Sequence, residues 1–135
     1  MRKELTPEVM ELLNGIPQWY IATTSANGEP NAIPCTFKTI LPNGNIAFAQ
    51  VFMETTVANV QANGRAAVSA HSPEKMQGYQ IKGSAVYVNE GETFERFAAT
   101  VSEKTGGRLN PTGMVEISPE RIILTGPGPD CKKEL

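Results

Sequence analysis

The stretch WYIATTSANGEPNAIPCTFKTILPNGNIAFAQV, Trp19 to Val51, decides the fold. Its first segment, Trp19 to Ser25, is β-branched and aromatic. It breaks at Asn27-Gly28, a pair that suits the positive φ angles of a tight hairpin turn. The chain then returns as a strand over about Asn31 to Ile40. Pro34 within it cannot donate to a ladder, which implies an edge position or a bulge. Pro42-Asn43-Gly44-Asn45 forms a second turn and leads into the strand IAFAQV. Strands joined this closely pair antiparallel, and they favour a closed barrel over a parallel sheet with crossover helices.

Upstream, Thr6-Pro7-Glu8 opens a helix in good order: a capping hydroxyl, proline at the first position, and an acid near the positive end of the dipole. Val9, Leu12, Leu13 and Ile16 recur at helical spacing, so a helix is expected over about 6 to 15, ending at Gly15 and Pro17.

Downstream, VFMETTVANVQANGR (Val51 to Arg65) predicts a short helix over 55 to 63, with only Val57 and Val60 as an apolar face and Asn63-Gly64 as its C-cap. It opens on Thr55-Thr56, which has two readings. A threonine hydroxyl caps an orphan amide of the first turn, or a helix start with free N–H groups and nearby hydroxyls receives a phosphate. Asn59, one turn on, reads equally as a polar residue on a solvated face.

Arg65 to Ala70 and Tyr79 to Val88 read as further strands, the second interrupted by Gly83, which suggests a bulge or a close approach. Phe94, Phe97, Ala98 and Val101 share one face of a helix over 92 to 105, closed by Gly106-Gly107. MVEISPERIILTG is two strands or one kinked strand at Ser118-Pro119. The tail, 126 to 135, is too rich in Pro and Gly to be regular. The expectation is a single domain over 1 to 135, mainly β with helices, built on six or seven antiparallel strands.

Composition narrows the function. The hydrophobic share is 40% and the charged share 19%, ordinary for a globular domain. Twelve basic residues against 14 acidic ones, scattered along the chain, argue against a nucleic-acid protein. No apolar run approaches the roughly 20 residues that span a bilayer, and MRKELTPEVMELL lacks a secretory apolar region. A cytoplasmic location is expected. The terminal KKEL has meaning as a retention signal only in a chain that entered the secretory route.

Cys35 and Cys131 lie far apart and read as free thiols. With His71 the only histidine and Asp130 the only aspartate, the inventory points to no metal site and no hydrolytic triad. His71 reads as a surface or loop residue. Trp19 and Tyr20 read as core and interface aromatics, a cluster expected to need a partner chain to cover it. Gln50 is the most informative polar residue, because a strand amide drawn into a core requires partners.

The segments METTVANVQANGRAAVSA, GYQIKGSAVYV and GMVEISPERIIL together resemble the FMN-binding split barrels related to pyridoxamine 5'-phosphate oxidase, over roughly Trp19 to Leu124. The resemblance implies an antiparallel split β-barrel, FMN as cofactor, and a homodimer whose partner chain completes each site. It places Thr55 and Thr56 at the FMN phosphate with Asn59 one turn later. Gln50 and Val51 end the strand that leads to them. It sets Pro34, Cys35 and Thr36 along the flavin ring and aligns Lys38 with a lysine of the oxidase branch.

Two positions depart from the family pattern. Relatives commonly carry Lys or Arg where this chain has Thr55, and a charge-assisted phosphate bond is roughly twice as strong as a neutral one. Lys38, Arg65 or Lys82 would have to supply the charge from another strand. Ile33 stands where the vitamin B6 oxidases have an arginine.

A flavin performs its own redox chemistry at the ring, so an active chain needs no triad. Three functions follow: a flavin-dependent oxidoreductase on a small substrate, a noncatalytic FMN electron carrier with a redox partner, and a cofactor-free ligand-binding barrel dimer. No GxGxxG is present to dock a nicotinamide, so one would stack transiently on the flavin.

Overall fold

The computed structural model describes residues 1–135. Three helices and seven strands follow in the order α1 (Pro7–Asn14), β1 (Trp19–Thr24), β2 (Pro30–Cys35), β3 (Lys38–Ile40), β4 (Ile46–Ala49), α2 (Glu54–Asn63), β5 (Arg65–Ser72), β6 (Gln77–Val88), α3 (Glu92–Lys104) and β7 (Met114–Leu124). All pairings are antiparallel, and the strand order is β2-β1-β5-β6-β7-β4-β3. The result is a curled, seven-stranded split barrel.

That order corrects two expectations. The sheet does not close: β2 and β3, neighbours in the chain, occupy its two opposite edges. The single return strand expected from Asn31 to Ile40 is therefore two strands, separated by a bend at Thr36-Phe37. Before the bend the chain pairs with β1, Pro34 lying opposite Tyr20. After it the chain pairs with β4, Lys38 lying opposite Phe48. Pro34 is on an edge strand, as its missing N–H requires.

Both turns form as read, with Gly28 and Gly44 at φ 85° and 86°. The α1 cap also forms, Val9 N donating to the Thr6 hydroxyl at 3.3 Å. Gly83 is both a bulge and a close approach. The β6–β7 register jumps there, leaving Glu120 unpaired, and a Cβ at Gly83 would lie 2.0 Å from the Ser118 carbonyl oxygen. β7 is accordingly one kinked strand. Its far edge is covered in turn by β4, by Lys3 N donating to the Pro119 carbonyl at 2.7 Å, and by the C-terminal tail.

The tail expected to be irregular folds back along β7. Leu135 N donates to the Ile122 carbonyl at 2.9 Å, Ile123 bridges Glu134, and Arg121 pairs with the Glu134 carboxylate.

The main core fills the curl of the sheet, with α1 packed into it through Val9, Leu12 and Leu13. Trp19 is at its centre, 1% exposed, its indole N–H donating to the Leu13 carbonyl at 2.9 Å and its ring edge-on to Phe48. It is thus not an interface residue, and no partner chain is required to bury it. Tyr20, its neighbour, is 49% exposed, because successive strand residues point to opposite faces. A second, smaller core lies on the other side of β4, where Phe94, Phe97 and Val101 of α3 meet Leu41, Ala47, Ala49 and Met114.

Candidate functional site at the seam of the barrel

The bend at Thr36-Phe37 leaves a gap in the sheet, and a cleft lies on each side of it. The first, the seam cleft, runs between the end of β2 and the connection from β4 to α2. It measures about 360 Å³ and is lined by Ile33, Pro34, Cys35, Thr36, Phe37, Ala49, Val51, Phe52 and Met53. Four of the nine expected site residues meet here: Pro34, Cys35, Thr36 and Val51. Most of the lining side chains are apolar, which suits a flat ring, while Thr36 and backbone groups add polar atoms along its edges.

Cys35 is buried at the base of this cleft. Burial pushes its thiol up to about 11 from an ordinary 9.0, against the opposing pull of the Lys38 ammonium. It is an apolar packing atom, not a nucleophile.

At the mouth of the cleft stands Phe52. It is 83% exposed and holds a left-handed backbone, φ 58°. For a residue with a Cβ that conformation costs about 1 to 2 kcal/mol, and here the side chain gains almost no burial in return.

α2 begins directly after Phe52 and Met53. Its N-cap is Met53, and no side chain caps it. The capping role read for Thr55-Thr56 is therefore incorrect: both lie inside the first turn. The two also differ from each other. Thr55 is exposed, whereas Thr56 is 0% exposed and its hydroxyl accepts the Asn31 amide at 3.1 Å. Asn59, expected on a solvated face or at the cofactor, is 5% exposed and donates to the Thr23 hydroxyl at 3.0 Å. Thr56 and Asn59 dock α2 onto β1 and β2, leaving Thr55 exposed at the uncapped helix start.

Gln50 lies away from the seam cleft. Its side-chain oxygen accepts from the Tyr87 hydroxyl at 2.5 Å and from the Thr112 hydroxyl at 3.0 Å. The partners that its polarity demands come from within the chain.

The second cleft, about 550 Å³, lies between β3 and α3 and shares Thr36 and Phe37 with the first. Its floor includes Ile40, Leu41, Phe97 and Val101, and its rim carries Lys38, Arg96 and Lys104. Lys38 belongs here rather than at the seam cleft. Its ammonium donates to the Pro17 carbonyl at 2.9 Å and sits 5.0 Å from the centre of the Trp19 ring. Burial and the nearby Lys104 charge both lower its pKa, with a smaller opposing contribution from Cys35. Arg96 pairs with Glu92 at 2.5 Å, but Lys38 and Lys104 make no ion pair. This cationic cleft was missed from the sequence. Its signal was the spacing Arg96, Thr100, Lys104, one polar face of α3.

Arg65 and Lys82 line neither cleft. They border a groove of about 590 Å³ on the outer face of the sheet, and Arg65 is paired with Glu120 at 2.8 Å. Beside them the register lays out a row of exposed or half-exposed small residues, Ala32, Ala22 and Ala67, next to Pro34 and Tyr20. His71 is exposed near the end of β5.

Residues 5–126 match the family model for pyridoxamine 5'-phosphate oxidase, and the chain belongs to that family. No curated protein sequence matches at a significant level. Among solved structures the chain is similar to HupZ of Group A Streptococcus, 24% identical over 94% of this chain and 98% of that one, TM-score 0.79. An FMN-binding protein of Syntrophomonas wolfei is 16% identical over 89% and 85%, TM-score 0.76. HutZ, a heme storage protein of Vibrio cholerae, is 17% identical over 87% and 92%, TM-score 0.63. At these identities the likeness establishes the fold. No helix of the chain is long and apolar enough to cross a membrane.

Proposed function

We propose that this chain binds FMN in the seam cleft and serves, as a homodimer, as a flavin-dependent oxidoreductase acting on a small anionic substrate. The observation that carries this reading is the pair of clefts joined at Thr36-Phe37: an apolar slot beside an uncapped helix start, and a cationic cleft beside it. The slot fits a flavin ring. The orphan N–H groups of Glu54, Thr55 and Thr56, with the exposed Thr55 hydroxyl, fit a phosphate. No cation lines the slot, so the phosphate is held by neutral donors and the helix dipole.

FMN, when bound, supplies hydride and electron transfer at its ring. The protein's part is to exclude water from one side of that ring with Ile33, Pro34 and Val51, and to orient it. Lys38 and Lys104 then attract a carboxylate or phosphate on the substrate, whose apolar body rests on Phe97 and Val101. The small-residue face around Ala22, Ala32 and Ala67 suits close apposition of a second copy, with Tyr20 and Pro34 at its border.

The likeness to the FMN-binding protein of Syntrophomonas supports this reading. A haem reading is favoured by the likeness to HutZ, but no histidine lines either cleft. The absorption spectrum of the purified protein, followed by identification of the released cofactor, separates these readings. Flavin bands and released FMN are expected, while a Soret band would replace flavin with haem. NADH or NADPH oxidation then separates an enzyme from an electron carrier. Thr55→Lys is expected to tighten FMN about tenfold and leave riboflavin, which has no phosphate, unchanged. Equal effects on both ligands would remove the phosphate from the α2 start. Sedimentation of the flavin-loaded protein as a 14.6 kDa species would remove the dimer.

A further inference from the structure

We propose that Phe52 is the residue that positions the cofactor ring, stacking on its exposed face at the mouth of the seam cleft. This rests on the FMN reading above but is separable from it.

Two independent features single out Phe52. It is the large aromatic side chain left most exposed by the fold, at 83%, although it sits between the half-buried Val51 and the buried Met53. It also holds a left-handed φ of 58°, one of only three non-glycine residues with positive φ. Of the other two, Met76 in the β5–β6 turn is also exposed and Lys132 lies in the tail, but neither lines the seam cleft. At Phe52 a glycine or asparagine would satisfy the same backbone with less strain and without exposing a ring. Phe52 lies in the bend from β4 into α2, and a strained bend that keeps an exposed ring in place of a glycine points to a ligand.

The surroundings name the ligand. Phe52 lines the seam cleft together with Pro34 and Val51. A planar ring entering that slot meets Ile33, Pro34 and Val51, and of the two aromatic residues that line it, Phe37 and Phe52, Phe52 is the exposed one. Aromatic stacking on a planar heterocycle is tolerant of the ring's substituents. The same residue would therefore accept a flavin with or without its phosphate.

Phe52→Gly, Phe52→Ala and Phe52→Tyr test this with three readouts: dissociation constants for FMN and for lumiflavin, which is the ring alone; quenching of flavin fluorescence on binding; and thermal stability without flavin. Phe52→Gly is expected to raise the melting temperature of the flavin-free protein by relieving the backbone. It should also weaken lumiflavin and FMN by the same factor, about three- to tenfold, and lose most of the quenching. Phe52→Ala should show the same weakening without the gain in stability, and Phe52→Tyr should restore affinity and quenching. A Phe52→Gly protein that binds lumiflavin as tightly as the parent, with quenching intact, overturns the proposal and leaves FMN binding standing. Loss of the dimer in Phe52→Ala with unchanged lumiflavin affinity also overturns it and assigns Phe52 to the partner chain. A parent protein that binds no flavin at all sinks the FMN reading, and this inference with it.

Discussion

Helices α2 and α3 flank the same seam and are attached by opposite means. α3 presents Phe94, Phe97 and Val101 to a small dry core against β4 and β7. α2 presents Val57 and Val60, and adds two polar pins, a half-buried one from Thr56 to Asn31 and a buried one from Asn59 to Thr23. A greasy attachment is tolerant of small rotations, because dispersion and the hydrophobic effect have little direction. A hydrogen-bonded attachment is not. The helix whose start is proposed to meet the cofactor is thus the one whose rotation about its axis is specified, and the helix bordering the cationic cleft is the one free to adjust.

The largest expected effect is on the apolar side. Phe97→Ala should cost about 3 to 5 kcal/mol in chemical denaturation, since it empties the centre of the smaller core. A loss below about 1 kcal/mol would mean that α3 is only loosely docked. On the polar side, Asn59→Ala should cost about 1 to 3 kcal/mol by stranding the buried Thr23 hydroxyl. It should also weaken FMN, whereas the adjustable helix predicts that Phe97→Ala changes FMN affinity little. Thr56→Val is the milder pin. Asn31 is half-exposed and can turn its amide to water, so about 1 kcal/mol is expected. If Phe97→Ala loosened FMN more than Asn59→Ala did, the proposed division of labour between the helices would be wrong.

The same contrast explains what could be read in advance. α3 was legible because its face is written at 3.6 spacing in large apolar residues, and the hairpins were legible because Asn-Gly turns carry their geometry locally. Pro34 was legible as an edge residue for the same reason. The polar pins were not: Asn31 lies 25 residues from Thr56 and Thr23 lies 36 residues from Asn59. A buried threonine on a helix with a weak apolar face looks no different from a solvated one until its partner is known.

The split at Thr36-Phe37 left no local mark either, since it arises from β2 and β3 choosing different neighbours. The tail misled for a related reason. Its Pro and Gly content shapes the reversal, and the strand edge that it then covers lies elsewhere. For the site, Pro34, Cys35, Thr36 and Val51 came together at the seam cleft. Lys38 did not, because the bend between Cys35 and Lys38 sends its side chain to the α3 side.

That bend supplies the smallest and sharpest test. Cys35 lies on the dry side of it and Lys38 on the wetter one. The Cys35 thiol is raised to about 11 by burial. In the unfolded chain it ionises near 9.0, so between these values the folded state holds the extra proton. Stability is therefore undiminished below pH 9 and falls as pH rises from 9 towards 11. Lys38 acts in the opposite sense, because its folded pKa is lowered. The unfolded chain holds more protons just below 10.5, and stability from this group rises with pH there. Tyr79, raised mainly by burial, adds a loss in the same alkaline range as the thiol. The comparison must therefore be between variants rather than along one curve. Cys35→Ala, measured by urea denaturation at pH 7, 9 and 10, should lose less stability than the parent between pH 9 and 10. The difference should be at most about 1 kcal/mol after allowing for partial solvent access. The parent and variant should run parallel below pH 8.5. If they run parallel to pH 10 as well, water reaches the thiol, and the floor of the seam cleft is not the dry surface on which the flavin site has been built.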